Sequence, residues 1–180
     1  MKKLIFSLVL FINFFSFSVL SADQNNSRLD YLFNQLSQIK SEIAADIILA
    51  EIWSIWSKTD NEMAQEIFED GNQLMSKGQF EESILTFTEV IALQPDFAEA
   101  WNKRATVYFF NGEFEKSIQD IEKTLSLEPR HFGALDGLAQ IYFLQDKFLK
   151  AAATYEQLLQ ILPFSENAKR QLEHINGQFI

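Results

Sequence analysis

The side chains that could act as acids, bases, nucleophiles or metal ligands are few in this sequence. It contains two histidines, His131 and His174, and no cysteine. Without cysteine there can be no disulfide bond, no thiolate metal site and no cysteine nucleophile. With only two imidazoles, a metal centre or a histidine-based catalytic triad is a poor expectation.

Two pairs of acidic residues remain as candidates for acid–base chemistry. Glu81 lies beside Glu82, and Glu113 lies two residues before Glu115. Both pairs fall where a helix is predicted to begin, and acidic side chains there interact favourably with the helix dipole. The six glycines never cluster into a phosphate-binding loop. We therefore predict a protein that is not an enzyme, with no catalytic residues, no cofactor and no metal.

The composition is that of a globular protein with an acidic surface. Hydrophobic residues make up 47% of the 180 residues and charged residues 22%, which excludes collagen-like, low-complexity and disordered chains. The formal net charge is −10. Because a negative field repels phosphate groups, we expect neither a nucleic-acid partner nor binding to anionic membrane surfaces. The expected partner is a protein or peptide, and the expected state is a monomer or weak homo-oligomer.

The first 22 residues have the features of a secretory signal peptide. Lys2 and Lys3 precede an almost wholly apolar run at positions 4–20, and the small residues Ser21 and Ala22 follow it. This pattern predicts export, to the periplasm of a Gram-negative bacterium, with cleavage near Ala22. The alternative is an uncleaved signal-anchor in the inner membrane, although an apolar run of 17 residues is at the short limit for a span.

A period of 34 residues organises most of the remaining chain. The three prolines, Pro95, Pro129 and Pro163, follow one another at intervals of 34. The same interval links three phenylalanines and three aliphatic residues: Phe80, Phe114 and Phe148; Leu93, Leu127 and Ile161. A period shared by unrelated residue types indicates a repeated structural unit. Apolar residues at helical spacing on two segments of each unit predict a pair of amphipathic helices.

These units resemble three consecutive tetratricopeptide repeats (TPRs), at residues 64–97, 98–131 and 132–165. Places in a unit are counted from its first residue. The family's large residues at places 4 and 24 and its small residues at places 8 and 20 are matched as follows: Ile67, Trp101, Leu135; Phe87, Ile121, Tyr155; Gly71, Ala105, Ala139; Ser83, Ser117, Ala151. At place 27 the family's alanine is replaced, by Val90, Thr124 and Leu158. The resemblance implies an all-α, right-handed solenoid of helix-turn-helix repeats.

The segments on either side of the repeats are expected to protect the ends of the stack. Residues 166–180 continue the helical pattern as far as Gly177 and predict a capping helix. Residues 23–63 carry two amphipathic stripes and predict a pair of helices. A unit counted back by one period would begin at Asp30, so this pair is either a degenerate fourth repeat or a helical hairpin that caps the stack.

The N-terminal pair carries a second resemblance. Ile52, Trp53, Ile55 and Trp56, with the run Leu127–Leu135, are similar to segments of exported alphaproteobacterial TPR proteins of uncharacterised role. This resemblance implies an envelope location and no known catalytic activity. The two tryptophans are themselves predicted to be core anchors.

Three further assignments concern polar residues in the second repeat and at its boundary with the first. Arg104 and Asp120, at places 7 and 23, are predicted to form an ion pair between the two helices of the repeat. His131 lies in the turn before the third repeat and is predicted to cap or pack there. Asp96 and Glu99 have the spacing of a capping box, which predicts a helix start at this point.

The inner surface of a TPR solenoid is lined by the first helix of each repeat, and the resemblance implies a binding groove there. The candidate groove residues are Phe68, Asn72, Met75, Glu99, Asn102, Thr106, Phe109, Phe110, Asp136, Gln140 and Phe143. Because this lining is apolar and faintly acidic, we expect a ligand with apolar anchors and a basic group. The alternative is that the phenylalanines simply pack between neighbouring helices.

Chaperone-binding TPR proteins clamp a terminal carboxylate with Lys or Arg and Asn side chains at five groove places. Those places hold Phe68, Asn72, Lys103, Gly133 and Gly137 in this chain, and only Asn72 fits. We therefore do not expect a receptor for carboxylate tails. The prediction is a non-catalytic adaptor or scaffold of the cell envelope that holds a peptide or protein segment in its concave groove. The alternative is a structural subunit of an envelope assembly, which would bind through its convex face or its ends.

Overall fold

The computed structural model describes residues 27–177, which form nine α-helices. The helices are α1 (Ser27–Leu36), α2 (Glu42–Trp56), α3 (Glu62–Ser76), α4 (Phe80–Leu93), α5 (Ala98–Phe110), α6 (Phe114–Leu127), α7 (Phe132–Leu144), α8 (Phe148–Ile161) and α9 (Glu166–Gly177). The predicted all-α class is confirmed. The predicted signal peptide at residues 1–22 lies outside the described residues. Within residues 27–177, every helix is too short or too polar to cross a membrane.

Three antiparallel helix pairs correspond to the three predicted repeats. α3 packs on α4, α5 on α6 and α7 on α8, and each pair packs on the next. The turn inside each pair contains one residue of positive φ: Gly78 at 72°, Gly112 at 74° and Asp146 at 56°. Glycine adopts this conformation without the steric penalty of a Cβ, which explains why two of the turns use it. Pro95, Pro129 and Pro163 each follow the last residue of a second helix and its C-cap, where a missing amide costs little.

Small residues let the two helices of a repeat approach each other. Ser83 Oγ donates a hydrogen bond to the carbonyl of Gly71 at 2.9 Å, and Ser117 Oγ donates to the carbonyl of Ala105 at 2.7 Å. The third repeat has the buried Ala151 in place of the serine and makes the contact by apolar packing alone. The 34-residue period of the sequence is therefore also seen in the structure, where the first two repeats make equivalent hydrogen bonds.

α1 and α2 form a hairpin that does not continue the stack. α2 does not pack along α3 as α4 packs along α5. Instead, Leu32 and Trp56 share a core with Tyr155 of α8 and Ile175 of α9. The hairpin therefore packs on the start of the third repeat, where Trp56 contacts Phe132, and its core continues through that repeat to α9.

An ion pair joins the hairpin to a part of the chain that is distant in sequence. Arg130 Nη1 donates to Asp30 Oδ1 at 2.7 Å, although the two residues are 100 positions apart. The guanidinium carbon of Arg130 also lies 4.4 Å from the centre of the Phe33 ring. Both contacts join α1 to the turn between α6 and α7.

The local sequence explains why the hairpin is not a repeat. Leu49 stands one period before Ser83, so a bulky side chain occupies a place that is small in all three repeats. Ser37, one period before Gly71, lies beyond the end of α1 at Leu36. Without two small residues facing each other, the helices cannot approach as they do in a repeat. The structure thus differs from the degenerate-repeat interpretation of residues 23–63.

α9 closes the other end of the stack. It packs on α8 and buries Ala168 and Ile175, while Glu173 and His174 remain exposed. An apolar inner face and a polar outer face are what the last helix of a solenoid requires.

Candidate protein-binding groove

A cavity of about 220 Å³ opens on the inner surface of the second and third repeats, between α5, α6 and α7. We call it the groove cavity. It is lined by Asn102, Ala105, Thr106, Phe109, Phe110, Ser117, Ile121, Gly133, Ala134, Asp136, Gly137 and Gln140. Six of the eleven groove residues predicted from the sequence are among them: Asn102, Thr106, Phe109, Phe110, Asp136 and Gln140.

A second cavity continues this surface toward α9. It shares Phe109 and Gln140 with the groove cavity and adds the predicted residue Phe143, together with Asn167 and Gln171 of α9. The two cavities therefore form one concave surface that runs from α5 to α9. Within it the phenylalanines differ: Phe109 and Phe143 are half-buried in contact with the cores, whereas Phe110 is 58% exposed.

The predicted groove residues of the first repeat lie away from both cavities. Phe68 is buried, with its ring centre 5.7 Å from that of Phe87 and 4.9 Å from that of Phe97. Met75 packs against the same core, and Asn72 is half-buried on α3. Assigning Phe68 to the groove surface was wrong, because three aromatic rings converge to fill the interior of this repeat.

Glu99 is also enclosed within the protein and does not line either cavity. Its Oε2 accepts hydrogen bonds from Asn102 Nδ2 at 3.0 Å and from His131 Nε2 at 2.8 Å. His131 Nδ1 accepts from the backbone N–H of Ala134 at the start of α7, so the ring proton lies on Nε2. His131 is thus a helix cap, as predicted, and also the buried partner of Glu99.

The environment of Glu99 keeps it ionised. Burial alone would raise the pKa of its carboxyl group, but the interactions with His131 and Lys103 outweigh burial and hold the pKa below its ordinary value. Lys103 Nζ lies 3.2 Å from Oε1 without the alignment of a hydrogen bond. Glu99 does not cap α5, whose N-cap is Phe97, so the capping-box assignment was wrong.

The hairpin forms one edge of the groove through its two tryptophans. Trp56 stacks on His131 with ring centres 4.2 Å apart, and Trp53 packs edge-on against His131 at 5.5 Å and Phe132 at 5.1 Å. Trp53 also covers Gly133, which lines the groove cavity. The hairpin therefore closes the groove along the N-terminal ends of α5 and α7.

Residues at the positions of a carboxylate clamp are engaged in contacts within the protein. Lys103 pairs with Glu99, Trp53 covers Gly133, and Phe68 is buried. Cationic groups that could hold a terminal carboxylate are thus missing from the lining of the groove cavity.

Asp136 gives the groove cavity its negative charge. Its Oδ2 accepts a hydrogen bond from Gln140 Nε2 at 2.7 Å, whereas Oδ1 is buried without a hydrogen-bond partner. Burial raises the pKa of Asp136, and the bond from Gln140 offsets part of that rise. Burial, reinforced by the charge of Asp136, raises the pKa of the neighbouring Tyr155 to about 12. The floor of the groove therefore carries a carboxylate in a poorly hydrated setting.

Arg104 and Asp120 form the predicted ion pair, which is confirmed. Arg104 Nε and Nη2 donate to the two carboxylate oxygens of Asp120 at 2.7 and 2.8 Å. Arg104 Nη1 donates to Thr88 Oγ1 at 2.9 Å, so one guanidinium ties α5 to both α4 and α6. This bidentate pair is structural and lies outside both cavities.

The contact between Trp53 and Gly133 can be tested by adding one methyl group. A Cβ at residue 133 would lie 2.7 Å from Trp53 Cη2, so Gly133→Ala must displace the indole. We expect a loss of about 1–3 kcal/mol in the free energy of unfolding. Gly137→Ala is the matched control, because its Cβ would meet only Ile121 Cδ1 at 3.7 Å. Its stability should be unchanged or raised by up to about 1 kcal/mol. If denaturant unfolding gives the same free energy of unfolding for Gly133→Ala and Gly137→Ala, the contact between Trp53 and Gly133 is contradicted.

The contribution of the hairpin to this site was not predicted from the sequence. The available indication was in α7, where Gly133 and Gly137 lie on one face although glycine is a poor helix former. Such a pair on the inner helix of a repeat indicates that something approaches the backbone closely. Among residues 27–177, no group of three or more His, Cys, Asp or Glu side chains could hold a metal ion.

The chain is similar to known repeat proteins in sequence. The family described as TPR repeat matches residues 71–112, and the family described as tetratricopeptide repeat matches residues 102–166. A TPR repeat-containing protein of Rhizobium etli is 34% identical over 82 residues, which cover 46% of this chain and 40% of that protein. The chain thus spans less than half the length of this relative.

The fold is similar to that of solved TPR domains. The first TPR domain of Spaghetti (RPAP3), bound to an HSP90 peptide, has a TM-score of 0.63 at 23% identity over 67% of this chain and 95% of its own. The Yersinia enterocolitica type III secretion chaperone SycD, in complex with a peptide of the translocator YopD, has a TM-score of 0.64 at 9% identity over 67% and 98%. No enzyme family is indicated by these matches. With family matches that together span residues 71–166 and a solenoid of the same architecture, the chain is a tetratricopeptide repeat protein.

Proposed function

We propose that this chain is a non-catalytic interaction module of the cell envelope that holds a peptide or protein segment in its concave groove. The observation that carries the proposal is the groove cavity, where Phe110 and Asp136 share one open concave lining. An exposed aromatic ring beside a desolvated charge is typical of an interaction hot spot.

The dimensions of the groove cavity favour a segment that is anchored by its side chains. About 220 Å³ is below the 300–1,000 Å³ that is usual for pockets enclosing a whole small ligand. It has room for one or two side chains, while the rest of a bound segment would lie along the surface toward α9. Spaghetti (RPAP3) and SycD are each solved with a bound peptide, which supports peptide binding as a role for this fold.

The envelope location rests on the sequence of residues 1–22. A positive n-region followed by an apolar run and small residues is the pattern of a cleaved secretory signal. We propose that the chain acts in the periplasm without this segment. The alternative location is the inner membrane, with the segment retained as an anchor.

A structural subunit that binds through its outer surface is the second candidate function. Leu85 on α4 and Leu149 on α8 are 71% and 82% exposed, and neither lines the groove cavity. Exposed leucines of this kind could contact a neighbouring subunit. They also provide controls for a test of the groove.

The experiment places a photo-crosslinking amino acid at residue 110 or at residue 85 and irradiates intact cells. We expect the chain in the periplasmic fraction without residues 1–22, and crosslinked to a partner from residue 110. Crosslinks from residue 85 alone would favour the structural-subunit role, and recovery of the intact chain in membranes would favour the anchor.

Removal of the exposed ring in the groove should weaken capture of that partner. Phe110→Ala, in a chain without the crosslinking residue, is expected to lower co-purification of the partner identified by crosslinking by about tenfold or more, as is usual for an aromatic hot spot. Because Phe110 is exposed, its loss should leave the thermal unfolding midpoint nearly unchanged. Leu85→Ala removes an exposed side chain elsewhere and should change neither quantity. Unchanged recovery with Phe110→Ala would contradict groove binding.

A further inference from the structure

The carboxylate of Asp136 has unused capacity for hydrogen bonding. A carboxylate can accept about four hydrogen bonds, and among the described residues this one receives a single bond, from Gln140. Its Oδ1 is buried with no partner. Asp136 as a residue is half-buried, and a partly desolvated carboxylate gains from a partner of opposite charge. Asp136 is therefore the polar group of the groove whose presence the folded chain alone does not explain.

The surroundings of Asp136 supply no positive charge. The lining of the groove cavity consists of neutral side chains and glycines apart from Asp136 itself. Lys103, on the adjacent α5, is paired with Glu99, and His131 donates its ring proton to the same carboxylate. Tyr155, whose pKa is raised by burial and by the charge of Asp136, is a neutral phenol. No described side chain forms an ion pair with Asp136.

The rest of the lining suits a long aliphatic stem that ends in a cation. Phe109 presents an aromatic ring in the same cavity, and the face of such a ring attracts ammonium and guanidinium groups. Lysine and arginine stems pack well on apolar walls, which Ala105 and Ile121 provide here. Gly137, one residue after Asp136, also lines the cavity and adds no side chain there, so α7 leaves room beside the carboxylate.

We propose that the groove cavity is a subsite for a basic residue, in which a lysine or arginine of the bound segment pairs with Asp136 and packs on Phe109. This inference rests on the proposed groove function and specifies the chemistry of its ligand. Charge complementarity commits the site to a basic segment of a protein partner, since an acidic or carboxyl-terminal segment would meet like charge. A bound lysine or arginine would supply the opposite charge and donate to Oδ1, which accepts no hydrogen bond from the described residues.

The test uses random 12-residue peptides displayed on phage and selected on the full chain. Peptides selected by the wild type are expected to contain a basic residue at one fixed position beside apolar residues. Asp136→Asn keeps the shape of the side chain and removes its charge, so it should lower affinity for a selected peptide by about tenfold to a hundredfold. Asp146→Asn makes the same change on an exposed turn residue and should leave affinity unchanged.

A charge reversal provides a gain of function. Asp136→Lys should select peptides with an acidic residue at the position where the wild type selects a basic one. If selected peptides carry no basic preference, or keep it with Asp136→Asn, the basic subsite is wrong while groove binding stands. If the wild type selects no peptide, or Phe110→Ala has no effect on those it selects, both the subsite and the groove function are wrong.

Discussion

Replacement of Trp56 by alanine is expected to lower the free energy of unfolding by about 3–5 kcal/mol. Trp56 is 1% exposed and stacks on His131 at 4.2 Å. It also packs against Phe33 and Phe132, with ring centres 5.9 and 4.9 Å away. Because these partners come from two distant parts of the chain, the resulting cavity cannot close by a local shift. The loss should therefore be at the upper end for a core residue.

Denaturant unfolding followed by circular dichroism measures this effect. Ile47→Ala on the same helix is the matched control, because that side chain is 81% exposed and should change stability by less than about 0.5 kcal/mol. Hydrogen exchange of α1 and α2 shows whether the hairpin opens before the repeats do. A Trp56→Ala variant as stable as the Ile47→Ala variant would contradict the packing of the hairpin on the third repeat.

Removal of the buried acid at residue 99 should have an effect of similar size. Glu99→Ala leaves His131 Nε2 and Asn102 Nδ2 without their acceptor in a buried position. Leaving a buried donor without its acceptor costs about 1–3 kcal/mol, and two donors are affected here. Glu81→Ala provides the control, since Glu81 is exposed in the first turn of α4 and should have little effect on thermal unfolding. Equal unfolding midpoints for the two variants would contradict the role of Glu99.

The contribution of Glu99 to the stability of the folded protein should decrease as the pH falls. Its pKa in the folded protein lies below the ordinary value of 4.5, so folding favours the ionised form. The stabilisation from this shift is fully present above the pKa of the unfolded chain and is lost as pH falls through the folded value. The difference in stability between wild type and Glu99→Gln should therefore be constant near pH 7 and shrink below about 4.5. A difference that grows on acidification would contradict this account.

The repeats could be predicted from the sequence because each of their contacts is local and recurs. Ser83 and Ser117 occupy the same place and donate equivalent hydrogen bonds, so one period fixes both. The hairpin could not be predicted in this way. The apolar stripe that contains Leu32 and Trp56 shows that these residues need a partner surface, but the pattern carries no information about which surface it is.

The same distinction applies to the residues of the candidate site: the repeat pattern predicts the positions of some of them but not of others. Thr106 and Gln140 line the groove cavity because their places on the first helices set their direction. Glu99 occupies such a place as well, yet it is enclosed, because it bonds to His131, 32 residues later, and Trp56 of the hairpin stacks on that histidine. An acidic residue near the start of a helix is usually explained by its interaction with the helix dipole. The position of Glu99 is explained instead by its hydrogen bond with the buried His131.

The contact between Asp30 and Arg130 has a consequence for how the chain reaches its folded state. An open repeat array forms by nearest-neighbour contacts, so folding can begin anywhere and spread. In this chain α1 and α2 complete their core only when Arg130 and the third repeat, about 100 positions later in the sequence, have folded. Closing so long a loop adds little entropy cost beyond that of a shorter one, but it raises the contact order and slows the last step of folding. The hairpin and the third repeat then support each other, so α1 and α2 are expected to unfold together with the third repeat and not on their own.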